Sequence, residues 1–171
     1  MFTIHDSQFT IHNSQPIIRP LTLDDVPAVA AIMAGNVLWQ RYGVTVDSAA
    51  RRLQRGLAAG ATIAVAVIDG RVAGFAWYVA EGAFQRSGYI MLFGVAPDAH
   101  GQGIGRALLV HAEAALFATS SSIVLLVSDF NVEAQRFYQR HGYAQVGALP
   151  DYVKPGVSEL IYYKPRAQSQ Q

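Results

Sequence analysis

LFGVAPDAHGQGIGRALL, residues 92–109, is the stretch on which the fold turns. It runs from an apolar segment through Pro97 and three glycines (Gly101, Gly103, Gly105) into an apolar pattern of helical period. Glycine loses more conformational freedom on folding than any other residue, so three at a helix start need a reason. A helix N-terminus offers unpaired N–H groups and the positive end of the helix dipole, which together suit an anion. Glycines let a bulky anion such as a pyrophosphate settle against those groups, and Arg106 in the first turn could add charge. A tight turn with close helix–sheet packing would use the same glycines, and composition alone does not separate the two.

Two familiar phosphate loops are out of register. The dinucleotide fingerprint is G-x-G-x-x-G directly after a strand. Here the run is G-x-G-x-G, Arg106 holds the sixth position, and residues 96–100 separate the glycines from the strand. Asp129, after the next strand, could mimic a ribose-binding acid, which keeps a nucleotide-dependent dehydrogenase as an alternative reading. The P-loop requires G-x-x-x-x-G-K-[ST], and no lysine follows any of these glycines.

Working outward, residues 16–165 read as one domain between an arm (1–15) and a tail (166–171). The arm holds a tandem duplication, FTIHDSQ at 2–8 and FTIHNSQ at 9–15. His5 and His12 on so short an arm lack a third ligand type, so no metal is expected there. PIIRPLT predicts a short strand, and TLDDVPAVAAIMA a helix capped by Thr22 or an adjacent aspartate. A second helix follows, capped by Asp47, with Ala50, Leu53 and Leu57 on one face and Gly60 as its stop. Asp69-Gly70 between two apolar runs is a strong hairpin signal. After the strand SGYIMLFGV and the glycine helix come the strand SSIVLLVSDF, the helix NVEAQRFYQRH and two closing strands. The expected fold is therefore mixed α/β, with seven strands and four helices.

The charge balance, 13 Lys plus Arg against 12 Asp plus Glu, gives no electrostatic case for nucleic acid. No run approaches the ~18 consecutive apolar residues of a membrane span. The start lacks the pattern of a secretory signal, and the absence of cysteine fits a cytoplasmic protein while excluding disulfides and a thiol nucleophile. Hydrophobic residues reach 51%, rich enough to suggest an apolar surface covered in a homodimer.

The stretch at 92–109 resembles the acyl-CoA-binding motif of the GNAT superfamily of N-acyltransferases: a strand ending in Val-x-Pro, a loop, then Q/R-x-x-G-x-G/A opening a helix. LLVSDFNVEAQRFYQRHGYAQVG is similar to the family's next signature, and IIRPLTLDDVPAVAAIM to its usual start. The resemblance covers residues 17–164. It implies a mostly antiparallel, twisted sheet of about seven strands splayed at a cofactor cleft, with acetyl-CoA as co-substrate and no metal. By that match, His100, Gly101, Gln102, Gly103, Ile104, Gly105 and Arg106 cradle the pyrophosphate, while main-chain groups of Phe93 and Val95 pair with the pantetheine arm. His100 departs from the family's Gln or Arg: a neutral imidazole donates a hydrogen bond without adding charge.

Acetyl transfer needs a polarised carbonyl, a neutral amine and a proton for the departing sulfur. The resemblance assigns the first to the Val95 N–H and the last to Tyr138, which lies one helical turn after the small Ala134. Asn131 has two possible roles, capping the helix and bonding the pantetheine amide. The base is open, because SGYIMLFGV carries no glutamate; Glu81, Glu159 or a water relay could serve. With no G-x-S-x-G elbow and no cysteine, direct transfer is expected rather than a covalent intermediate. Substrate contacts should come from Trp39, Arg41 and Tyr42, from Trp77 and Phe84, and from Tyr152, although each could equally be a core or dimer residue. These aromatics with few acids suit a small amine, an amino acid or a peptide N-terminus. The rival expectation is a non-catalytic acyl-CoA-binding regulatory module.

Overall fold

In the computed structural model, which describes residues 15–167, Asp69 and Gly70 both adopt positive φ (49° and 74°). That geometry suits a two-residue hairpin turn, and it joins β2 (Thr62–Ile68) to β3 (Arg71–Ala83). The two duplicated heptapeptides, His5 and His12 with them, lie outside the described residues except for Gln15. The remaining strands are β1 (Ile17–Pro20), β4 (Ser87–Val95), β5 (Ser122–Ser128), β6 (Ala144–Pro150) and β7 (Ser158–Pro165). Among the described residues they form one seven-stranded sheet in the order β1-β2-β3-β4-β5-β7-β6. Every neighbouring pair is antiparallel except β4 and β5, whose parallel pairing requires the crossover helix α4 (Ile104–Thr119).

Among the described residues five α-helices surround the sheet, one more than the sequence suggested. They are α1 (Val26–Gly35), α2 (Val37–Arg41), α3 (Val46–Ala58), α4 and α5 (Val132–Arg140). The extra one, α2, is too short to show a period; it forms because the Asn36 side chain accepts from Leu38 N–H and starts the turn. The cap of α3 is Thr45, not Asp47: Thr45 and Ser48 exchange side-chain and main-chain bonds in a capping box. Its buried face is accordingly Ala49, Leu53 and Gly56, one residue away from the expected stripe apart from Leu53.

Strand alternation assigns the layers. Gly74 of β3 faces α4, where an added methyl group would lie 2.9 Å from Leu108. Phe75 and Trp77 face the opposite side, where Trp77 lies against Gly56 of α3 so closely that a methyl there would sit 2.2 Å from its ring. The core lies between these layers, with Leu53, Phe75, Leu108, Leu109 and Leu116 fully buried.

At the start of α1, Arg19 makes a two-pronged bond to Asp25 (2.6 and 2.8 Å), which also accepts from Thr22 N–H and Oγ. The Arg19 bond holds the Asp25 carboxyl well below the usual carboxylate range, against the opposing effect of burial. A depressed folded pKa stabilises above the unfolded value near 4 and is lost as pH falls through the folded one. Asp25→Ala should therefore cost about 1 kcal/mol at neutral pH. That deficit should shrink progressively as pH falls below about 4, as read from urea midpoints along a pH series.

Candidate active site

β4 and β5 begin together and then part. Their pairing covers only Gly88 with Ile123, Tyr89 with Val124 and Ile90 with Leu125. At the next residue β4 bulges: Tyr78 pairs with Ile90 and Trp77 with Leu92, leaving Met91 without a partner on β3. A bulge adds twist and bends its strand. Past it, β4 stays with β3 as far as Val95, while β5 follows β7 to the Ser128–Glu159 pair. Between them opens a cleft of about 780 Å³.

The exposed edge of β4 can be assigned group by group. Ala96 N–H donates to Ala73 O at 2.8 Å, so by alternation Gly94 also bonds toward β3. Phe93 and Val95 then direct their main-chain groups into the opening. Val95 O is already taken, accepting from His100 Nε2 at 3.2 Å. That bond turns His100 back onto the strand, away from the open contact with phosphate that its position in the motif suggested. Gln102 likewise bonds to the main chain, donating to Asp98 O at 3.1 Å.

The three glycines divide by function. Gly101 and Gly103 have φ of 76° and 78°, the left-handed region that side chains disfavour. A methyl at either would meet no protein atom within 4 Å, so the space before α4 is open. Gly103 is the N-cap and has no side chain to offer, leaving the first-turn N–H groups without a side-chain cap. Gly105 serves packing instead: its methyl would reach Phe137 of α5 at 3.4 Å. Ile104 is core, and Arg106 is exposed beside the turn.

On the other wall, Asn131 Oδ1 accepts from Ala134 N–H at 3.2 Å, which makes it the cap of α5, and its side also lines the cleft. Tyr138 lines the cleft one turn beyond Ala134 and is buried, its ring 6.1 Å from that of Phe93. Burial pushes its phenol pKa up.

At the floor, Glu159 of β7 and Ser128 of β5 lie directly opposite each other and so project from one face. Glu159 is 5% exposed. Its Oε1 accepts from Tyr42 OH at 2.5 Å, and Ser128 Oγ lies 3.3 Å from both carboxylate oxygens. Burial, reinforced by the bond to Glu159, pushes the Tyr42 pKa up to about 12, so this phenol remains a donor through neutral pH.

The other expected residues separate into two groups. Trp39 lines the cleft and packs on Phe75 at 5.6 Å between centroids. Arg41 also lines it, its guanidinium 4.1 Å over the Phe130 ring, and Tyr152 stands exposed at the mouth. Trp77 is instead a core residue under α3 and does not line the cleft. Glu81 and Phe84 are exposed with positive φ (52° and 55°), at the end of β3 that meets the beginning of β4, remote from the opening. Of the two candidate bases, only Glu159 reaches the cleft. Tyr89, Arg52, Ser128 and Lys154 also line it. Ser128 joins the site through strand pairing across 31 positions, and no local pattern marks it.

Among the described residues no group of His, Asp and Glu is arranged to hold a metal, and no helix is long and apolar enough to cross a membrane. An uncharacterized N-acetyltransferase of Methanocaldococcus jannaschii is 39% identical over 102 residues, 58% of this chain and 64% of that protein, so the match spans less than two-thirds of the relative's length. The structure of a ribosomal-protein-alanine N-acetyltransferase from Brucella melitensis is similar with TM-score 0.71 and 25% identity, covering 87% of this chain and 99% of that one. The Salmonella typhimurium protein YncA, solved with its cofactor acetyl-CoA, shares the fold at TM-score 0.70 and 19% identity, over 92% of this chain and 98% of that one. Residues 31–143 match the model of the acetyltransferase (GNAT) family, and with the splayed sheet and glycine turn in place, the chain belongs to that family.

Proposed function

We propose that the protein is an acetyl-CoA-dependent N-acetyltransferase that acetylates a primary amine directly. The observation that carries this reading is the opening between β4 and β5, with free main-chain groups on one wall and Tyr138 and Glu159 on the others. The glycine turn fits the cofactor: Gly101 and Gly103 hold open the space a pyrophosphate would fill, against the uncapped N–H groups of α4. Phe93 offers main-chain groups to an extended pantetheine arm, as an edge strand would. The similar fold of YncA with acetyl-CoA supports the same choice.

When bound, acetyl-CoA supplies a thioester, an acyl carbon already joined to a leaving group. The Val95 N–H donates to the acyl oxygen and stabilises the charge that gathers there. Glu159 takes one proton from the bound ammonium and passes it to solvent, which frees the nitrogen lone pair, and takes a second as the nitrogen bonds to the acyl carbon. Tyr138 gives its hydroxyl proton to the sulfur as the carbon–sulfur bond breaks, and is restored by a proton relayed from Glu159 through water. The products are the N-acetylated amine, the free thiol and one proton released to solvent. Against a non-catalytic binding module, the buried carboxylate of Glu159 in the same cleft offers the base that β4 lacks.

Acetyl-CoA and free CoA should raise the melting midpoint in a concentration-dependent way, while NADH should not. No stabilisation by either CoA compound at about millimolar concentration would overturn the reading. Gly103→Val should abolish the CoA shift, because the side chain enters the open space before α4. Its φ of 78° should also cost about 1–2 kcal/mol of stability, visible in the unliganded midpoint. Normal acetyl-CoA affinity in that variant would exclude the cradle.

A further inference from the structure

We propose that the amine substrate carries its own carboxylate, with Arg41, Arg52 and Lys154 holding that group while Glu159 receives the amine. The proposal rests on the acetyltransferase reading and narrows its substrate to free amino acids and close relatives.

The cleft is electrically two-sided. Among the described residues, its charged lining consists of Glu159 as the one anion and the three cations Arg41, Arg52 and Lys154. Glu159 is buried, yet the groups bonded to it are the neutral hydroxyls of Tyr42 and Ser128. Among the described residues it forms no ion pair, the pairs being Arg19–Asp25, Arg71–Asp98 and Lys164–Glu113. A buried carboxylate without a counter-charge is costly, and a substrate ammonium would supply one.

The cations are unpaired in the complementary sense. All three are exposed at the mouth, and among the described residues none meets a carboxylate. Aromatic faces hold the two guanidinium groups instead: Arg41 lies 4.1 Å over Phe130, and Arg52 lies 5.9 Å from the Trp77 ring centroid. A guanidinium held by its face keeps its fork of N–H donors free for a carboxylate. Lys154 Nζ donates to Arg41 O at 2.7 Å, which draws the β6–β7 loop to the end of α2 and brings a third positive charge to the same mouth. Tyr89 also lines the cleft, and burial pushes its hydroxyl pKa up.

These cations do not belong to the pyrophosphate cradle, because none of residues 101–106 lines this cavity. A polyamine would meet three like charges at the mouth, and a peptide N-terminus has no carboxylate near its amine. A zwitterion satisfies both poles at once.

The test compares the protein amino acids with their carboxamides, read by melting shift in the presence of CoA and by CoA release from acetyl-CoA. Preferred amino acids should exceed their carboxamides roughly 10–100-fold in kcat/KM, the worth of a hydrogen-bonded charge, and should give the larger melting shift. Arg52→Gln should bring that ratio down to a few-fold. Carboxamides or peptide amides that bind or react as well as the free acids would overturn the proposal. So would Arg52→Gln lowering both alike, or weakening the acetyl-CoA shift instead. Failure of the acetyltransferase reading registers separately, as no melting shift with acetyl-CoA and no CoA release from any amine. The preference for acids over carboxamides in the melting shifts judges the charge pairing even then.

Discussion

Tyr138→Phe should lower the transfer rate roughly 10²–10⁴-fold, the usual contribution of a positioned general acid, while leaving acetyl-CoA affinity unchanged. The substitution removes one oxygen and keeps the ring that packs against Phe93, Phe137 and Tyr143, so the wall of the cleft retains its shape. The raised pKa of the phenol suits this role. Burial disfavours the phenolate, so the proton stays in place until a comparably desolvated sulfur anion forms beside it. An acid of ordinary pKa would spend part of its time deprotonated at high pH; Tyr138 would not, so its loss should depress the rate evenly between about pH 6 and 9. Stopped-flow measurement of the chemical step, with acetyl-CoA binding measured in parallel, separates the proton from the packing. A variant that turns over normally would remove Tyr138 from the mechanism. One that loses cofactor affinity would make it a wall residue.

Legibility in the sequence followed the range of the interaction. The Asp69-Gly70 turn, the glycine start of α4 and the Asn131 cap are set within a few residues, and each forms where its local chemistry requires. The opening itself is different in kind. It depends on a bulge at Met91 and on β5 following β7, neither of which leaves a periodic trace in SGYIMLFGV or SSIVLLVSDF. The misplacements have equally specific causes. FAWYVAEGAFQ alternates correctly as a strand, but its direction across the sheet carries Glu81 and Phe84 away from the opening, and its phase turns Trp77 into the core. The cluster at the floor joins Tyr42 to Glu159 across 117 positions, and only the fold makes them neighbours. His100 shows the remaining limit: the motif gives its position but not its hydrogen bond back to Val95.

Glu159→Gln tests that floor. The amide has nearly the shape of the carboxylate and can still accept from Tyr42, so the fold should survive with a change within about 1 kcal/mol. The rate should fall roughly 10²–10⁴-fold, as expected when a general base is removed. The pH profile tells base from mere anchor. Without a base the reaction draws only on amine already neutral in solution, so the residual rate should climb with pH toward the amine pKa near 10. A residue that only positioned the amine would lower the rate without this added slope. Tyr42→Phe supplies the graded control. It removes the 2.5 Å donor that orients the carboxylate but leaves Ser128 in place, so a loss of about tenfold is expected, well short of that in Glu159→Gln. If Tyr42→Phe were the more damaging of the two, the reactive group at the floor would be the phenol, and Glu159 its support.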